Sequence, residues 1–345
     1  MVNVMKAVGL TRYLPITDSE SLRDVELPRP EPGDRDLLVR VEAISVNPVD
    51  TKIRRSKGPD HQEALPRVLG WDAAGVVEAV GPKATLFQPG IEVYYAGSIT
   101  RPGTNSEYHL VDERLVAKKP RSFDMAHAAA LPLTAITAYE AFCDRMGILF
   151  EGDSVEKTVL IIGGAGGVGS IATQIAKIAN LRVIATASRP ESQSWCRKMG
   201  ADEVLDHTKS IPDQLQRLNC STVDYIFNTS TTEQHWPAMC EVIKPQGRIC
   251  CIVDTIEAVD LNALKKKSVT FAWEFMFTRP MYQTDDMVAQ HKLLTQVACW
   301  VDAGMIQSVL TETLSPINAA NLRAAHAKLE SGRMIGKLVL TGWPS

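Results

Sequence analysis

The rhythm of apolar and polar positions changes near residue 125 of this 345-residue chain. Before that point, residues 5–10, 37–44, 74–80, 91–95 and 106–111 form short apolar stretches with strand-like patterning. Pro- and Gly-rich breaks at 28–33, 81–82 and 89–90 separate them. This pattern predicts a compact, barrel-like β region. Residues 126–130 and 135–146 then read as helices, interrupted at Leu131-Pro132. Strand-like runs at 159–162, 182–186, 203–205, 225–228, 248–253 and 269–275 follow, alternating with helical spacing. That alternation predicts an α/β, doubly wound parallel sheet. Helical patterning returns at 281–303, where Leu293, Leu294, Val297, Trp300 and Val301 make one apolar stripe. A further helix over 318–330 stops at Ser331-Gly332, and 337–340 reads as a last strand.

One junction carries chemistry. The run Val159, Leu160, Ile161, Ile162 reads as a buried parallel strand, and Gly163, Gly164, Ala165, Gly166, Gly167, Val168 and Gly169 follow at once. Helical spacing then places Ile171, Ile175 and Ile178 on one face. Gly164, Gly166 and Gly169 satisfy G-x-G-x-x-G between a strand and a helix, the context that makes the pattern a dinucleotide site. On that reading the first glycine permits the turn and the second admits a pyrophosphate. The third lets helix and strand pack, with the phosphate at the helix N-terminus. The next strand ends without the carboxylate that would bond a ribose 2′-hydroxyl, and Ser188 and Arg189 come next. A hydroxyl and a guanidinium suit a 2′-phosphate, so the cofactor reading is NADPH over NADH. A solvated surface role for Arg189 is the alternative.

Bulk properties narrow the classes. A net charge of −3 gives no basic face for nucleic acid or membrane, and residues 265–267 are the one tight basic run, read as a solvated turn before a strand. No apolar run reaches the length of a membrane span, and residues 1–9 lack a signal-peptide layout, so a soluble cytoplasmic protein is expected. The seven cysteines are scattered and none forms C-x-x-C, which fits reduced, mostly buried thiols.

The chain resembles the medium-chain dehydrogenase/reductase superfamily over essentially its whole length, and within it the zinc-free quinone oxidoreductase-like branch. Residues 45–50, 69–77, 130–135, 159–169 and 332–337 carry the resemblance. It implies a GroES-like β-barrel domain from 1–134 and 278–345, a Rossmann NADPH-binding domain from 135–277, and an active site in the cleft joining them. Relatives with catalytic zinc bind it through a cysteine, a histidine and a later cysteine or acid; the matching positions here hold Asn47, Trp71 and Leu133. Structural zinc needs four cysteines before Tyr108, and 94–107 contain none. No metal is therefore expected.

Without a Lewis acid, hydride transfer to a quinone or to the C=C bond of an α,β-unsaturated carbonyl is less demanding than alcohol chemistry. By resemblance, Asn47 lies near the nicotinamide, where it could hold a substrate carbonyl or the ribose; a turn asparagine before Pro48 is the alternative. Asp50, Lys52 and Tyr95 are candidate cleft residues, with a surface lysine and an ordinary strand aromatic as the alternatives for Lys52 and Tyr95, and Trp71 fills the space of a metal-binding histidine. Relatives carry tyrosine near the position of Lys52, and this chain does not. Asp72 reads as a structural hydrogen-bonding group. Thr134 resembles a threonine that touches the nicotinamide half; a helix-cap role is the alternative. His207 matches a ring near the adenine or 2′-phosphate, and Arg333 and Lys337 would add positive charge there; capping and pairing near the last strand is the alternative for those two. The strand over 269–275 pairs two subunits in relatives, so a homodimer is expected, with burial of that strand within one chain as the alternative. Alcohol or aldehyde oxidoreduction and a non-enzymatic NADPH-binding role are the competing functions.

Overall fold

The computed structural model describes residues 3–150 and 157–344. These fall into two compact units. The first holds the chain up to Leu133 together with Phe277–Gly304 and the stretch from Ser308; the second holds Thr134–Met276 and Met305–Gln307.

In chain order the first part contains strands β1 (Val4–Arg12), β2 (Arg23–Pro28), β3 (Asp36–Ser45), β4 (Gln62–Val68), β5 (Ala73–Val80), β6 (Glu92–Tyr95), β7 (Tyr108–Asp112) and β8 (Val116–Lys118), with helices α1 (Pro48–Arg54) and α2 (Met125–Ala129). Helix α3 (Pro132–Glu140) leads into a π-helical turn, Ala141–Arg145. The alternating stretch follows: β9 (Thr158–Ile162), α4 (Gly167–Ile178), β10 (Arg182–Thr186), α5 (Pro190–Lys198), β11 (Glu203–Leu205), α6 (Ile211–Arg217), β12 (Val223–Asn228), α7 (Thr232–Val242), β13 (Ile243–Cys251) and β14 (Thr270–Trp273). The chain closes with α8 (Thr278–Tyr282), α9 (Ala289–Asp302), β15 (Leu310–Leu314), α10 (Ala319–Glu330) and β16 (Lys337–Thr341).

In the second unit the strands run β11-β10-β9-β12-β13-β14, and every pairing is parallel. The chain winds outward from β9 and returns beside it at β12, so the switch point of a Rossmann sheet lies at the carboxyl end of β9. All five residues of β9 are buried, as a strand covered on both faces requires. Leu160, Ile184 and Ile226 meet Trp236, Met239 and Val242 of α7 in one core. In the first unit, β3 is the hub of a mixed sheet ordered β15-β16-β3-β5-β6-β8, with β7 also paired to β3; β2-β1-β4 form a smaller antiparallel sheet.

Several sequence expectations change. β4 carries Pro66 and sits on a sheet edge, where a missing N–H is tolerated; the proline hides the strand from pattern reading. The helix read over 281–303 is two, because Gln283 adopts φ +48° and ends α8, while Asp286 accepts from Arg279 and Thr284 in the turn. Residues 261–267 form a 3₁₀ helix, and Lys267 is not a solvated turn residue: its ammonium donates to the carbonyls of Cys240, Glu241 and Ile243 at 2.7–2.9 Å, capping α7. Residues 305–307 join the second unit because the Gln174 side chain bonds both backbone groups of Gln307 (2.7 and 3.3 Å).

Candidate active site

The second unit presents a nucleotide cradle. Gly163 adopts φ +85°, so the left-handed residue of the turn after β9 precedes the three motif glycines. Its amide donates to Thr186 Oγ1 (3.1 Å), and the Gly164 amide donates to the Thr186 carbonyl (3.0 Å). A Cβ on Gly164 would lie 2.8 Å from Ala185 Cβ, and one on Gly169 would lie 2.3 Å from the Gly163 carbonyl oxygen; neither position has room. A Cβ on Gly166 would meet only the Gly163 oxygen, at 3.7 Å. Gly169 thus packs α4 against the strand turn, whereas Gly166 leaves an open approach. Gly166, Gly167 and Val168 are partly exposed, Ala165 is buried, and no side chain caps α4. Open backbone amides at a helix N-terminus fit a pyrophosphate.

At the end of β10, Ser188 and Arg189 are half-buried, and Arg189 Nε pairs with the exposed Glu191 at 3.4 Å. Thr186 of β10 is in register with Leu205 of β11. Ser188 and His207 therefore each lie two residues past a paired position, on the same sheet edge. His207 Nδ1 is 3.3 Å from Thr186 Oγ1. The sequence offered no signal for Thr186, which joins the glycine turn to His207. Thr134 is buried in the first turn of α3.

The first unit holds a buried polar centre. Asn47 is the N-cap of α1; its backbone N–H donates to Asp50 Oδ2 (2.8 Å). Its side-chain amide donates to Asp72 Oδ2 (2.8 Å) and, more weakly, to the Ser45 carbonyl (3.4 Å). Lys337 Nζ donates to Asn47 Oδ1 (2.5 Å), Asp72 Oδ2 (3.0 Å) and the Val46 carbonyl (3.0 Å). Asp72 Oδ1 accepts the Leu133 N–H at 2.7 Å. Asn47, Asp50, Asp72 and Lys337 are all at most 3% exposed. Burial pushes the Asp50 carboxyl up to about 7, and its Oδ1 has no hydrogen-bond partner. Burial raises Asp72 as well, opposed by the Lys337 ammonium.

This arrangement corrects several expectations. Lys337 has its three hydrogens committed inside the first unit and is not a phosphate ligand. Asn47 has both amide hydrogens engaged, so it does not offer one to a substrate carbonyl. Tyr95 is fully buried; its hydroxyl meets His109 Nδ1 (3.1 Å) and the two rings stack, so it is not an open pocket donor. His109 Nε2 in turn lies 3.0 Å from the Pro102 carbonyl, and burial lowers its pKa to about 4. Trp71 is buried, donates from Nε1 to the Ser98 carbonyl (3.0 Å) and packs edge-on against Phe277. Lys52 is exposed on α1, and Arg333 is exposed on the turn after α10.

The positions matching a zinc site do not fit the metal. Asn47 Oδ1 is occupied by an ammonium, and Trp71 and Leu133 have no lone pair to give. Among the described residues, no three His, Cys, Asp or Glu side chains converge as a metal site.

A Rossmann-ordered sheet with an open glycine cradle, joined in one chain to a β-rich unit with a mixed sheet, defines a nucleotide-dependent oxidoreductase fold. Residues 33–121 match the alcohol dehydrogenase GroES-like domain family, and 199–340 match the zinc-binding dehydrogenase family. A zinc-type alcohol dehydrogenase-like protein of Staphylococcus aureus is 48% identical over 337 residues, covering 97% of this chain and 99% of that protein. The crystal structure of a putative zinc-dependent alcohol dehydrogenase protein from Rhizobium etli is 51% identical, with TM-score 0.95 and full coverage of both chains. The mycobacterial protein Rv1454c, solved in complex with NADPH, is 26% identical, with TM-score 0.81 over 98% of this chain and 99% of its own. The chain belongs to the medium-chain dehydrogenase/reductase superfamily of pyridine-nucleotide-dependent oxidoreductases.

Proposed function

We propose that this chain is an NADPH-dependent, zinc-independent reductase that transfers hydride to a quinone or to the C=C bond of an α,β-unsaturated carbonyl. The observation that carries the reading is the Lys337 ammonium, held between Asn47 Oδ1 (2.5 Å) and Asp72 Oδ2 (3.0 Å), because Asn47 is a position that the resemblance matches to a zinc ligand. A divalent cation brought to Asn47 would meet that charge at close range. An alcohol or simple aldehyde then lacks a Lewis acid for its oxygen. A conjugated acceptor spreads the developing charge over its own π system and is less dependent on one.

Ser188 and Arg189 support NADPH over NADH, as does the lack of a carboxylate at the end of β10. When bound, the cofactor supplies the hydride. The cradle from Gly164 to Gly169 holds its pyrophosphate, and the Asn47–Asp72–Lys337 centre fixes the start of α1. Asp50, Trp71 and Tyr95 are positioning groups. Lys52 is the candidate donor of the proton that completes reduction.

We also propose a cytoplasmic homodimer. All seven cysteines are free thiols, which suits a reducing compartment. β14 ends the parallel sheet, and Trp273 and Phe275 are each 46% exposed beside its outer edge. A second copy pairing there would cover both.

The test is NADPH oxidation with 1,4-benzoquinone and a 2-alkenal as parallel acceptors, alongside NADP⁺ reduction with primary alcohols. Turnover on either conjugated acceptor and none on the alcohols is expected. Turnover on the alcohols alone would overturn the acceptor class. Nucleotide binding with no turnover on any of them would favour a binding-only role.

A further inference from the structure

Two histidines stand past the carboxyl ends of β11 and β12, and the second of them has no part in the proposed function. His207 follows β11 and is half-buried; His235 lies in the first turn of α7 and is 5% exposed. Their ring centroids are 6.2 Å apart, edge to face. Thr186 Oγ1 accepts the Gly163 N–H (3.1 Å), which leaves its own hydrogen for His207 Nδ1 (3.3 Å). Neutral His207 then carries its proton on Nε2. Protonation reverses the Thr186 bond, because Nδ1–H becomes the donor, and the imidazolium gains a charge that Nε2–H can direct at an anion.

Burial disfavours charge on both rings, and His207 disfavours charge on His235. Asp206 pulls the other way on His207; it is bonded to Thr208 and paired with Lys209 at 3.2 Å. From α7 the facing titratable group is His235. From the turn after β10, Arg189 is paired with Glu191. His207 is therefore a neutral imidazole that one added anion can tip, two residues past the register position it shares with Ser188.

We infer that His207, backed by His235, makes cofactor choice proton-linked: a nucleotide with a 2′-phosphate beside Ser188 and Arg189 draws a proton from solvent onto His207, and NADH does not. The inference rests on the NADPH reading. Linkage is reciprocal, so the preference for NADPH over NADH strengthens as pH falls. Through Thr186, the same proton is felt at the Gly163 turn.

The test is calorimetric titration of the whole protein and His207→Gln with NADPH and NADH, in two buffers of different ionisation enthalpy. Nucleotide fluorescence supplies Kd from pH 8.5 to 6.5, above the second phosphate ionisation near 6. The expected result is greater proton uptake with NADPH in the unmodified protein than in His207→Gln, and equal uptake with NADH. The ratio of NADH to NADPH Kd should rise about fivefold across that range and stay flat in the variant. NADH binding reports that the variant folds, and His207→Asn replaces it otherwise. Equal NADPH-linked uptake in both proteins overturns the inference while leaving the NADPH reading intact. Absence of NADPH binding to the unmodified protein overturns both.

Discussion

Asp50 shows how one buried carboxyl ties local structure to pH. Its Oδ2 closes the α1 cap on the Asn47 N–H, and its Oδ1 is buried without a partner. Because burial lifts its pKa from 3.8 to about 7, the folded protein holds a proton that the unfolded chain releases between those values. Its contribution to stability is therefore complete below the lower value and lost as pH rises through the upper one, a change on the order of 2–4 kcal/mol. Asp50→Asn keeps an acceptor for the cap, so its denaturant-unfolding free energy should vary less between pH 4 and 8 than that of the unmodified protein. An identical pH profile in both proteins would contradict this. Lys337 gives a second residue-scale expectation. Lys337→Met leaves the Asp72 carboxylate buried without its counter-charge, and urea melts should show a loss of about 3–5 kcal/mol. The double variant with Asp72→Asn should recover part of that loss, as coupled partners do. At the nucleotide end, Ser188→Ala with Arg189→Ala should weaken NADPH binding about 10- to 100-fold, as expected for loss of charge-assisted phosphate bonds. NADH binding should change little in the same titration.

At the scale of elements, what the sequence revealed depended on whether the signal was local. The buried run of β9, the glycine turn and the apolar face of α4 are contiguous, so their order could be read directly. The helical spacing over 318–330 and the break at Ser331-Gly332 bounded α10 in the same way. β2 and β4 escaped because both lie on the edges of a small sheet, where exposed charged residues and Pro66 blur the period. The polar centre under α1 was only partly legible. Asn47 and Asp50 are neighbours in a cap, but Lys337 reaches Asp72 across 265 positions. A sequence pattern places that lysine near a glycine turn and gives no hint that its ammonium turns inward. Likewise, Thr186 is an ordinary strand threonine until the register of β10 and β11 brings it to His207.

For the whole molecule, the two units carry different duties. The parallel unit supplies a cradle fitted to a dinucleotide, and the other supplies a buried centre in which Lys337 bonds Asn47 and Asp72. The cradle was legible in the sequence because phosphate recognition uses backbone amides, and glycine spacing exposes them. The acceptor was not, because no local residue pattern marks it. The exposed aromatics beside β14 belong to this scale as well. Light scattering after size exclusion should return twice the mass of the chain, and Trp273→Glu should shift it toward a single copy. A single copy for the unmodified protein would contradict the dimer. The central proposal is that the chain reduces its acceptor without zinc. The most direct measurement is the zinc content of purified protein, set beside NADPH-dependent turnover on a conjugated acceptor with and without chelator. The account predicts negligible zinc and unchanged turnover; stoichiometric zinc, with turnover lost on chelation and restored by the metal, would contradict it.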